Sequence, residues 1–495
     1  MLLRIPASTF RAFLTIALAV GLPATAAAGP AADDDAVRKA VGNQLLIAED
    51  VSSRDITVSN RKGVIVLEGE VDTLLEKQQA VELAGSIRGV RAVVDRLTVA
   101  PKLRADPQIA ERVEQAIAFD PATDKAEVDW KVKDGRVVLT GQLPSWQEKQ
   151  LYGLVVSGVG GVREVDNRIT VGPVSHRPDA EIEADIGSRL RFDAWLEEAF
   201  IDVAVADARV KLSGRVASPA ERSRAYRDAW VAGVEAVDTS GLEVEPDLRG
   251  EQEIRLRRSR IPDGEIAEAI SAAWLHDPRV RAGELGVTVD DGVALVTGVV
   301  QTIEARRAAV RDARHTRGVW RVEDRLRVAS PVDRDDSRLK ARIIEQLQLD
   351  PLIPAADVEV LVEDGRVVLL GSVPDARASR RAQTLVARVR GVAAVDDRLQ
   401  LADGRQQQKP AGDDALRAEV LNELRFNPTL RPAAVQVQAE QGVVTLRGTV
   451  DRWTQRLEAA REAFQAGAVE VNNLLRVREA GAPAPGELDA ARTDR

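Results

Sequence analysis

Residues 134–141 read DGRVVLTG, and this stretch decides the fold of the chain. An Asp-Gly pair favours the two-residue hairpin turn in which both central residues need a positive φ. The apolar strand that follows the turn closes at Gly141, and a second glycine, Gly161, comes 20 residues later. The same arrangement is written six times with a period of about 65 residues, which predicts an array of small, similar modules.

Two glycines mark each copy of the repeat. The first closes an apolar strand, and the second lies 19 or 20 residues further on, where a helix is expected to end. We interpret both as structural positions, because glycine suits strand ends and the left-handed cap of a helix. The first glycines are Gly69, Gly141, Gly214, Gly298, Gly371 and Gly448, and the second glycines are Gly89, Gly161, Gly233, Gly318, Gly391 and Gly467.

The second copy shows the order of elements within one module. Pro107 to Ala118 places apolar residues at helical spacing, and Asp120–Pro121 stops the helix because proline cannot continue it. Two strands joined by the Asp134–Gly135 turn follow, then a helix that starts near Ser145, then a strand from Val165 to Val171. We therefore predict an α+β fold, a tandem array of α-β-β-α-β modules, each a three-stranded mixed sheet with two helices on one face.

The copies are numbered here as modules 1 to 6. Module 3 is the most divergent, because its turn reads Asp207–Ala208 and its last strand contains Asp238–Thr239–Ser240–Gly241. Residues 479–495 are rich in Ala, Pro, Gly and charged residues, a composition typical of a disordered tail. The modules span residues 34–100, 104–173, 178–245, 262–330, 333–402 and 412–478.

Residues 1–28 have the order of a cleavable signal peptide. Arg4 and Arg11 precede a short apolar run, and small residues lead to an expected cleavage site after Ala28. This pattern predicts a secreted, periplasmic protein whose mature chain has no transmembrane segment. Because the chain contains no cysteine, we expect neither a lipoprotein anchor, nor disulfides, nor thiolate metal sites.

The composition and the motifs of the chain argue against enzymatic activity and against nucleic-acid binding. The 495 residues carry a net charge of −9, and 30% of them are charged, which gives no general attraction to nucleic acid. The three histidines, His176, His276 and His315, have no partners at metal-ligand spacing, and we interpret them as solvent-exposed. No nucleophile motif or pair of carboxylates in a shared pocket is recognisable. We predict that the protein is not an enzyme and has no metal or other cofactor.

The repeat resembles the BON domain, the bacterial OsmY and nodulation module. The resemblance depends on the Asp-Pro helix stop, the Asp-Gly hairpin, the strand ending in Leu-x-Gly, and a last strand such as 161–169 (GVREVDNRI) or 391–399 (GVAAVDDRL). It covers most of residues 34–478. The resemblance implies a bacterial envelope protein linked to osmotic or envelope stress, of a family whose members engage phospholipid surfaces or envelope proteins and carry no catalytic residues.

The densest positive charge lies in module 4 and in the linker before it. In the second helix of this module, Arg307, Arg311 and Arg314 are spaced to share one outer face. Such a face is able to hold phosphate headgroups, and the alternative is a solvated face balanced by Asp312 and Glu304. The linker adds Arg255, Arg257, Arg258 and Arg260.

Two tryptophans occupy matching places at the start of a second helix, Trp146 in module 2 and Trp453 in module 6. An apolar ring at a helix start is able to enter a membrane interface or a partner's groove. The alternative, which we favour, is that the ring packs on its own sheet or on the next module.

The sequence predicts a non-enzymatic periplasmic protein that maintains or protects the cell envelope. We expect multivalent contact with anionic phospholipid surfaces, because linked modules raise the effective concentration of weak binding sites. The alternative is a scaffold or chaperone-like binder of envelope proteins that does not touch lipid, which the acidic net charge favours.

Overall fold

The computed structural model describes most of the six modules. The predicted signal peptide and the predicted tail lie outside the described residues, as does the linker with Arg255, Arg257 and Arg258. The described residues are 34–48, 51, 55–99, 105–123, 128–172, 177–196, 200–246, 261–329, 335–350, 353, 357–402, 412–427, 430, 435–450, 453–468 and 470–477.

Each module contains two helices. The first helices of modules 1 to 6 are α1 (Asp34–Ile47), α3 (Asp106–Phe119), α5 (Asp179–Phe192), α7 (Asp263–His276), α9 (Asp336–Leu349) and α11 (Asp413–Phe426). The second helices are α2 (Leu74–Ser86), α4 (Trp146–Ser157), α6 (Pro219–Asp228), α8 (Ile303–Arg314), α10 (Ala376–Arg388) and α12 (Trp453–Gln465).

The strands follow the predicted order around these helices. Modules 1 to 3 contain β1 (Ile56–Arg61), β2 (Val64–Val71), β3 (Ala92–Val99), β4 (Val128–Lys133), β5 (Arg136–Leu143), β6 (Glu164–Asn167), β7 (Thr170–Val171), β8 (Ile201–Ala206), β9 (Arg209–Val216) and β10 (Ala236–Val244). Modules 4 to 6 contain β11 (Leu285–Asp290), β12 (Val293–Val300), β13 (Arg321–Val328), β14 (Val358–Glu363), β15 (Arg366–Val373), β16 (Ala394–Leu401), β17 (Val435–Glu440), β18 (Val443–Val450) and β19 (Glu470–Val477).

Each module folds as a mixed sheet, which confirms the predicted fold class. In module 1 the order is β1-β2-β3, with β1 and β2 antiparallel and β2 and β3 parallel. The parallel pair needs a crossover connection, and α2 supplies it. Alternate residues of the strands, such as Ile65, Leu67 and Leu97, are buried with Val41 of α1 and Ala84 of α2, so both helices cover one face of the sheet.

The first glycine of each module lies inside a strand rather than at its end. Gly69 pairs with Ile56, and β2 runs on to Val71. Gly69 has φ +134°, and a Cβ at this position would lie 1.8 Å from the carbonyl oxygen of Asp55. A side chain is therefore excluded by both the backbone conformation and the adjacent strand.

The first residue of every first helix is an aspartate that holds the hairpin turn of its own module. In module 2 the carboxylate of Asp106 accepts hydrogen bonds from the backbone N–H of Asp134 at 2.9 Å and of Gly135 at 3.1 Å. These bonds connect the start of the first helix to the turn that orients two strands. The equivalent aspartates are Asp34, Asp179, Asp263, Asp336 and Asp413.

Modules 2 and 3 depart from the regular sheet in their last strands. In module 2 this strand is interrupted, and its two parts, β6 and β7, both pair with β5. In module 3 the pairing of β10 with β9 shifts between Asp238 and Gly241, at the divergent sequence. Its unusual turn still adopts positive φ at Asp207 and Ala208, +51° and +59°. The divergence therefore changes the edge of the sheet and keeps the fold.

The array folds back on itself, so that modules distant in sequence meet. Asn43 of α1 donates a 2.7 Å hydrogen bond to Glu423 of α11, across 380 residues of sequence. Arg390 of module 5 donates to Pro121 of module 2, and Arg317 of module 4 donates to Phe192 of module 3. Module 1 thus meets module 6, module 2 meets module 5, and module 3 meets module 4.

Candidate functional site

The three arginines of α8 differ from one another in their exposure to solvent. Arg307 and Arg311 are exposed, and Arg311 forms an ion pair with Glu304 at 3.8 Å. Arg314 is half-buried, and its Nε is buried with no hydrogen-bond partner in the part of the chain that the structure describes. Of the three, Arg307 and Arg311 present their charge to solvent.

Trp146 is packed between modules 2 and 3. Its ring stacks on that of Trp230 with a centroid distance of 5.2 Å and an interplanar angle of 4°, and it meets the edge of Tyr226 at 6.0 Å. The neighbouring Gln147 donates a 2.6 Å hydrogen bond to the Trp230 carbonyl. The ring therefore stabilises a module contact. Trp453 begins α12, and its side chain lies outside the described residues.

The second helices of several modules meet inside the array. A Cβ on Gly85 of α2 would lie 3.3 Å from the Cβ of Pro219 in α6, and one on Gly158 would lie 3.3 Å from Leu75. Arg227 of α6 and Glu82 of α2 form an ion pair at 2.8 Å. Helices α8 and α10 also contact each other. The second-helix surfaces are thus largely used to hold modules together.

The outward sheet face of module 2 is mostly polar, whereas other modules expose apolar strand residues such as Leu361 and Leu474. In module 2, Lys131, Arg136 and Thr140 are exposed at alternate strand positions. Asp166 on this face lies 2.7 Å from both Arg136 and Arg168. Exposed pairs of this kind contribute little stability because water screens their attraction, so this face is a solvated surface.

Three module contacts use the same two ends of the fold. One partner contributes the end of its first helix, where phenylalanine precedes Asp or Asn: Phe119–Asp120, Phe192–Asp193 and Phe426–Asn427 in modules 2, 3 and 6. The other contributes the turn after its second helix, where arginine precedes the second glycine: Arg88, Arg317 and Arg390 in modules 1, 4 and 5. We call these the Phe end and the Arg end.

In the contact between modules 1 and 6, a phenylalanine of one module enters the apolar core of the other. The Phe426 ring is 4% exposed and belongs to the core cluster of module 1. Arg88 donates from its backbone to the Phe426 carbonyl at 3.4 Å and from Nη2 to the Leu430 carbonyl at 3.0 Å. Glu423 and Glu462 lie beside this contact, and burial raises the pKa of both, that of Glu423 to about 7.

The contact between modules 3 and 4 is closed by backbone pairing. Asp193 and Thr316 form an antiparallel bridge. Arg317 donates its N–H to the Phe192 carbonyl at 2.6 Å, and Ala194 donates to the His315 carbonyl at 2.8 Å. The Trp195 ring meets the His315 ring edge-on at 5.6 Å. Neither the phenylalanine nor the arginine side chain supplies these hydrogen bonds.

Burial changes the ionisation of several groups between modules 3 and 4. It raises the pKa of Asp228 to about 7 and that of Asp312 to about 8. It lowers the pKa of His276 and of His315 to about 4, so both imidazoles are neutral near pH 7. The interpretation of these two histidines as solvent-exposed is wrong, because each side chain is half-buried at the module contact. His176 lies outside the described residues.

The contact between modules 2 and 5 is open. Phe119 packs against the core cluster of module 5, and Arg390 donates to the Pro121 carbonyl at 3.1 Å. A cleft remains beside this bond, and the loop 278–281 and the start of α8 in module 4 complete its wall.

All twelve of the predicted structural glycines have positive φ. Gly161 has φ +107° and Gly318 has φ +94°. The second glycine follows the helix at a distance rather than capping it directly: α4 ends at Ser157, and α8 ends at Arg314. In both modules a short turn therefore follows the second helix, and glycine closes this turn without strain.

The BON domain family model matches the chain six times, at residues 33–101, 105–173, 178–246, 262–330, 335–403 and 412–479. These matches cover most of the sequence and confirm the six tandem copies. The chain belongs to the BON domain family.

Two curated relatives of this BON protein are envelope or stress proteins by name. Osmotically-inducible protein Y of Escherichia coli is 27% identical over 143 residues, covering 28% of this chain and 71% of that protein. Outer membrane lipoprotein DolP of Haemophilus influenzae is 29% identical over 164 residues, covering 30% of this chain and 84% of that protein.

One solved structure that the BON array matches is the C-terminal domain of CdsD, a structural protein of the type III secretion system of Chlamydia trachomatis. It is 16% identical, with 46% of this chain and 99% of that chain covered and a TM-score of 0.12. Within the described ranges, no helix has the length and apolar character needed to cross a membrane.

Proposed function

We propose that this protein is a non-enzymatic, periplasmic BON protein that maintains the bacterial envelope as a scaffold for envelope proteins. The names of its relatives support this place of action, because one is osmotically inducible and the other is an outer membrane lipoprotein. The predicted signal peptide and the lack of cysteine fit a periplasmic protein without a lipid anchor.

The observation that supports the scaffold proposal is that the second helices pack against other modules. Trp146 is stacked against Trp230 of the next module, and the second helices contact each other. What remains outward is a set of sheet faces on a folded-back array, polar in module 2 and with exposed leucines in modules 5 and 6. Several rigid faces displayed together favour multivalent contact with proteins, because each additional weak contact is formed at a raised effective concentration.

A second candidate function is direct contact with anionic phospholipid. Arg307 and Arg311 favour it, because both are exposed and lie one helical turn apart on α8. Each cation near an anionic surface contributes about 1 kcal/mol. The ion pair of Arg311 with Glu304 and the half-buried position of Arg314 reduce the charge that this helix offers to a membrane.

Sedimentation with anionic liposomes at low and high salt distinguishes the two candidates. The test variant is Arg307→Glu with Arg311→Glu, and the charge-matched control is Arg325→Glu with Arg327→Glu, two exposed arginines on β13 of the same module. The scaffold proposal predicts no pelleting of the wild type with liposomes of phosphatidylglycerol. Salt-sensitive pelleting that the test variant loses and the control keeps would instead establish the lipid candidate.

Crosslinking in intact cells tests the scaffold directly. A photo-crosslinking residue at exposed Lys131, on the outward sheet of module 2, is expected to form adducts with defined envelope proteins. The same residue at Val113, which is fully buried in module 2, is the matched control and is expected to form none. An equal, empty pattern at both positions contradicts the proposal.

A further inference from the structure

A cleft lies between modules 2, 4 and 5, and it has no role in the proposed scaffold function. Its cavity volume is about 50 Å³, and its mouth is open to solvent. Its wall contains Asp120 from the end of α3, Arg279 and Arg281 from module 4, and Arg388 and Arg390 from the end of α10. Three modules therefore contribute side chains to one space.

Positive side chains outnumber negative ones in the lining of the cleft. Four arginines line it together with the carboxylates of Asp120 and Glu304, and Arg281 also forms an ion pair with Glu284 at 3.8 Å. The Nε of Arg388 is buried and has no hydrogen-bond partner within the described ranges, and the same holds for Oδ2 of Asp120. Burial, followed by the nearby charge of Arg381, lowers the pKa of Arg388, which is the direction expected for a cation that lacks sufficient negative charge around it.

The cleft also receives the N-terminus of α8. Thr302 caps this helix by accepting a 3.0 Å hydrogen bond from the N–H of Ala305, and both residues line the cleft. The backbone N–H groups of the first turn and the helix dipole favour negative charge at this end. The helix start and the arginines thus favour the same kind of ligand.

We propose that the cleft between modules 2, 4 and 5 binds an oxyanion of the phosphate class, which neutralises Arg388 and holds the three modules together. Arginine suits this role because its planar guanidinium donates paired hydrogen bonds to phosphate oxygens. Arg279 and Arg281 of module 4 and Arg388 of module 5 all line the proposed site. This inference is independent of the proposed scaffold function.

The contact between modules 3 and 4 is built differently from the contact that holds this cleft. There the same two ends of the fold are closed by the bridge of Asp193 with Thr316 and by the Trp195 and His315 rings. In the contact between modules 2 and 5, Phe119 packs on the core of module 5, Arg390 donates to the Pro121 carbonyl, and a cleft lined by arginines lies beside this bond.

Isothermal titration calorimetry of the purified protein with inorganic phosphate tests the site, with sodium chloride of equal ionic strength as the reference. We expect saturable binding of phosphate and a rise in Tm that chloride does not produce. Arg388→Met is expected to weaken phosphate binding at least about tenfold, because it removes the buried cation. Since this variant also changes a buried position, Arg279→Gln provides a second test on the module 4 side.

Arg317→Gln is the control, because Arg317 holds in the closed contact the position that Arg390 holds beside the cleft, and it bonds there through its backbone. It is expected to bind phosphate as the wild type does. A wild type that responds to phosphate as it does to chloride overturns the proposal, as does unchanged phosphate binding in both Arg388→Met and Arg279→Gln.

The source of the phosphate group is settled by two further titrations. Glycerol 3-phosphate and a short-chain phosphatidic acid, used below its micelle concentration, are compared with inorganic phosphate. Tighter binding of the phosphatidic acid assigns a lipid headgroup, and equal or weaker binding assigns a free phosphate or small phosphate ester.

Discussion

Modules 1, 4 and 5 differ from modules 2, 3 and 6 at the two ends that join them. The first group places arginine before the second glycine, where the second group has the small residues Gly160, Ala232 and Ala466. The second group ends its first helix with phenylalanine followed by Asp or Asn, and the first group does not. In each of the three described contacts a Phe end meets an Arg end.

This difference teaches that the order of modules in space is encoded by small departures from the repeat. Six identical modules would leave many pairings equally favourable, because every surface would be the same. Two complementary types reduce the choice, and joining unlike ends resembles the way that natural interfaces exclude wrong partners. Removing one end tests whether the pairing of unlike ends holds the modules together, and single substitutions test which atoms of each end matter.

The largest effect is expected from removal of the most deeply inserted phenylalanine. Phe426→Ala takes a ring that is 4% exposed out of the core cluster of module 1, and we expect a loss of about 3–5 kcal/mol. Hydrogen exchange measures the loss, as faster exchange in α1 and α11 than in the modules that do not touch this contact. If α1 keeps its protection, the Phe end does not hold module 1.

Phe464→Ala is the matched control for this prediction. Phe464 lies in the same module on α12 and is 47% exposed. Its removal is expected to change the stability by no more than about 0.5 kcal/mol.

The next effect concerns pH at the contact between modules 1 and 6. Burial raises the pKa of Glu423 from 4.5 to about 7, so the native state binds more protons than the unfolded chain in that interval. Stability is therefore expected to fall as the pH rises from about 4.5 to about 7, by at most about 3 kcal/mol from this group, and to level off above. Glu423 faces Glu419 on α11, Glu462 on α12 and Asn43 on α1.

Glu423→Gln removes this titration and keeps an oxygen that accepts the hydrogen bond from Asn43. The urea midpoint of the variant, measured between pH 5 and pH 8.5, is expected to decline less than that of the wild type. Glu419→Gln is the control, because it removes one charge from the same contact and leaves Glu423 to titrate. A variant at Glu423 that declines as steeply as the wild type contradicts the assignment.

The fold within a module was predictable because local signals specify it. The Asp-Pro stop ends α3 at Phe119, the Asp134–Gly135 turn has positive φ at both residues, and Ser145 caps α4. The aspartate clamp on each turn was missed, although its signal is visible in the printed sequence. Asp106 precedes the turn by 28 residues, and an equivalent aspartate holds the turn in every module.

The module contacts were not predictable from periodicity. Glu423 and Asn43 are 380 residues apart, and nothing in a repeat of small modules indicates which copies meet. The spacing of Arg307, Arg311 and Arg314 indicates one helix face, but neighbouring modules decide which part of it is covered. The readable signal was the departure from the repeat, arginine in three copies and phenylalanine in the other three.

The smallest effect compares two arginines at equivalent positions. Arg88 donates from its side chain to the Leu430 carbonyl at 3.0 Å, whereas Arg317 donates to the Phe192 carbonyl from its backbone. Arg88→Ala is expected to cost about 1 kcal/mol, because a side-chain hydrogen bond at a contact is lost. Arg317→Ala keeps its backbone bond and is expected to cost less than about 0.5 kcal/mol.

Urea denaturation of both variants, followed by hydrogen exchange in the two affected contacts, measures this difference. A cost for Arg317→Ala equal to that for Arg88→Ala would mean that arginine acts through its charge in all three Arg ends. A difference in the expected direction means that the arginine side chain secures the contact between modules 1 and 6, while backbone pairing secures the contact between modules 3 and 4. The Arg end would then be one position of the fold used in two physical ways.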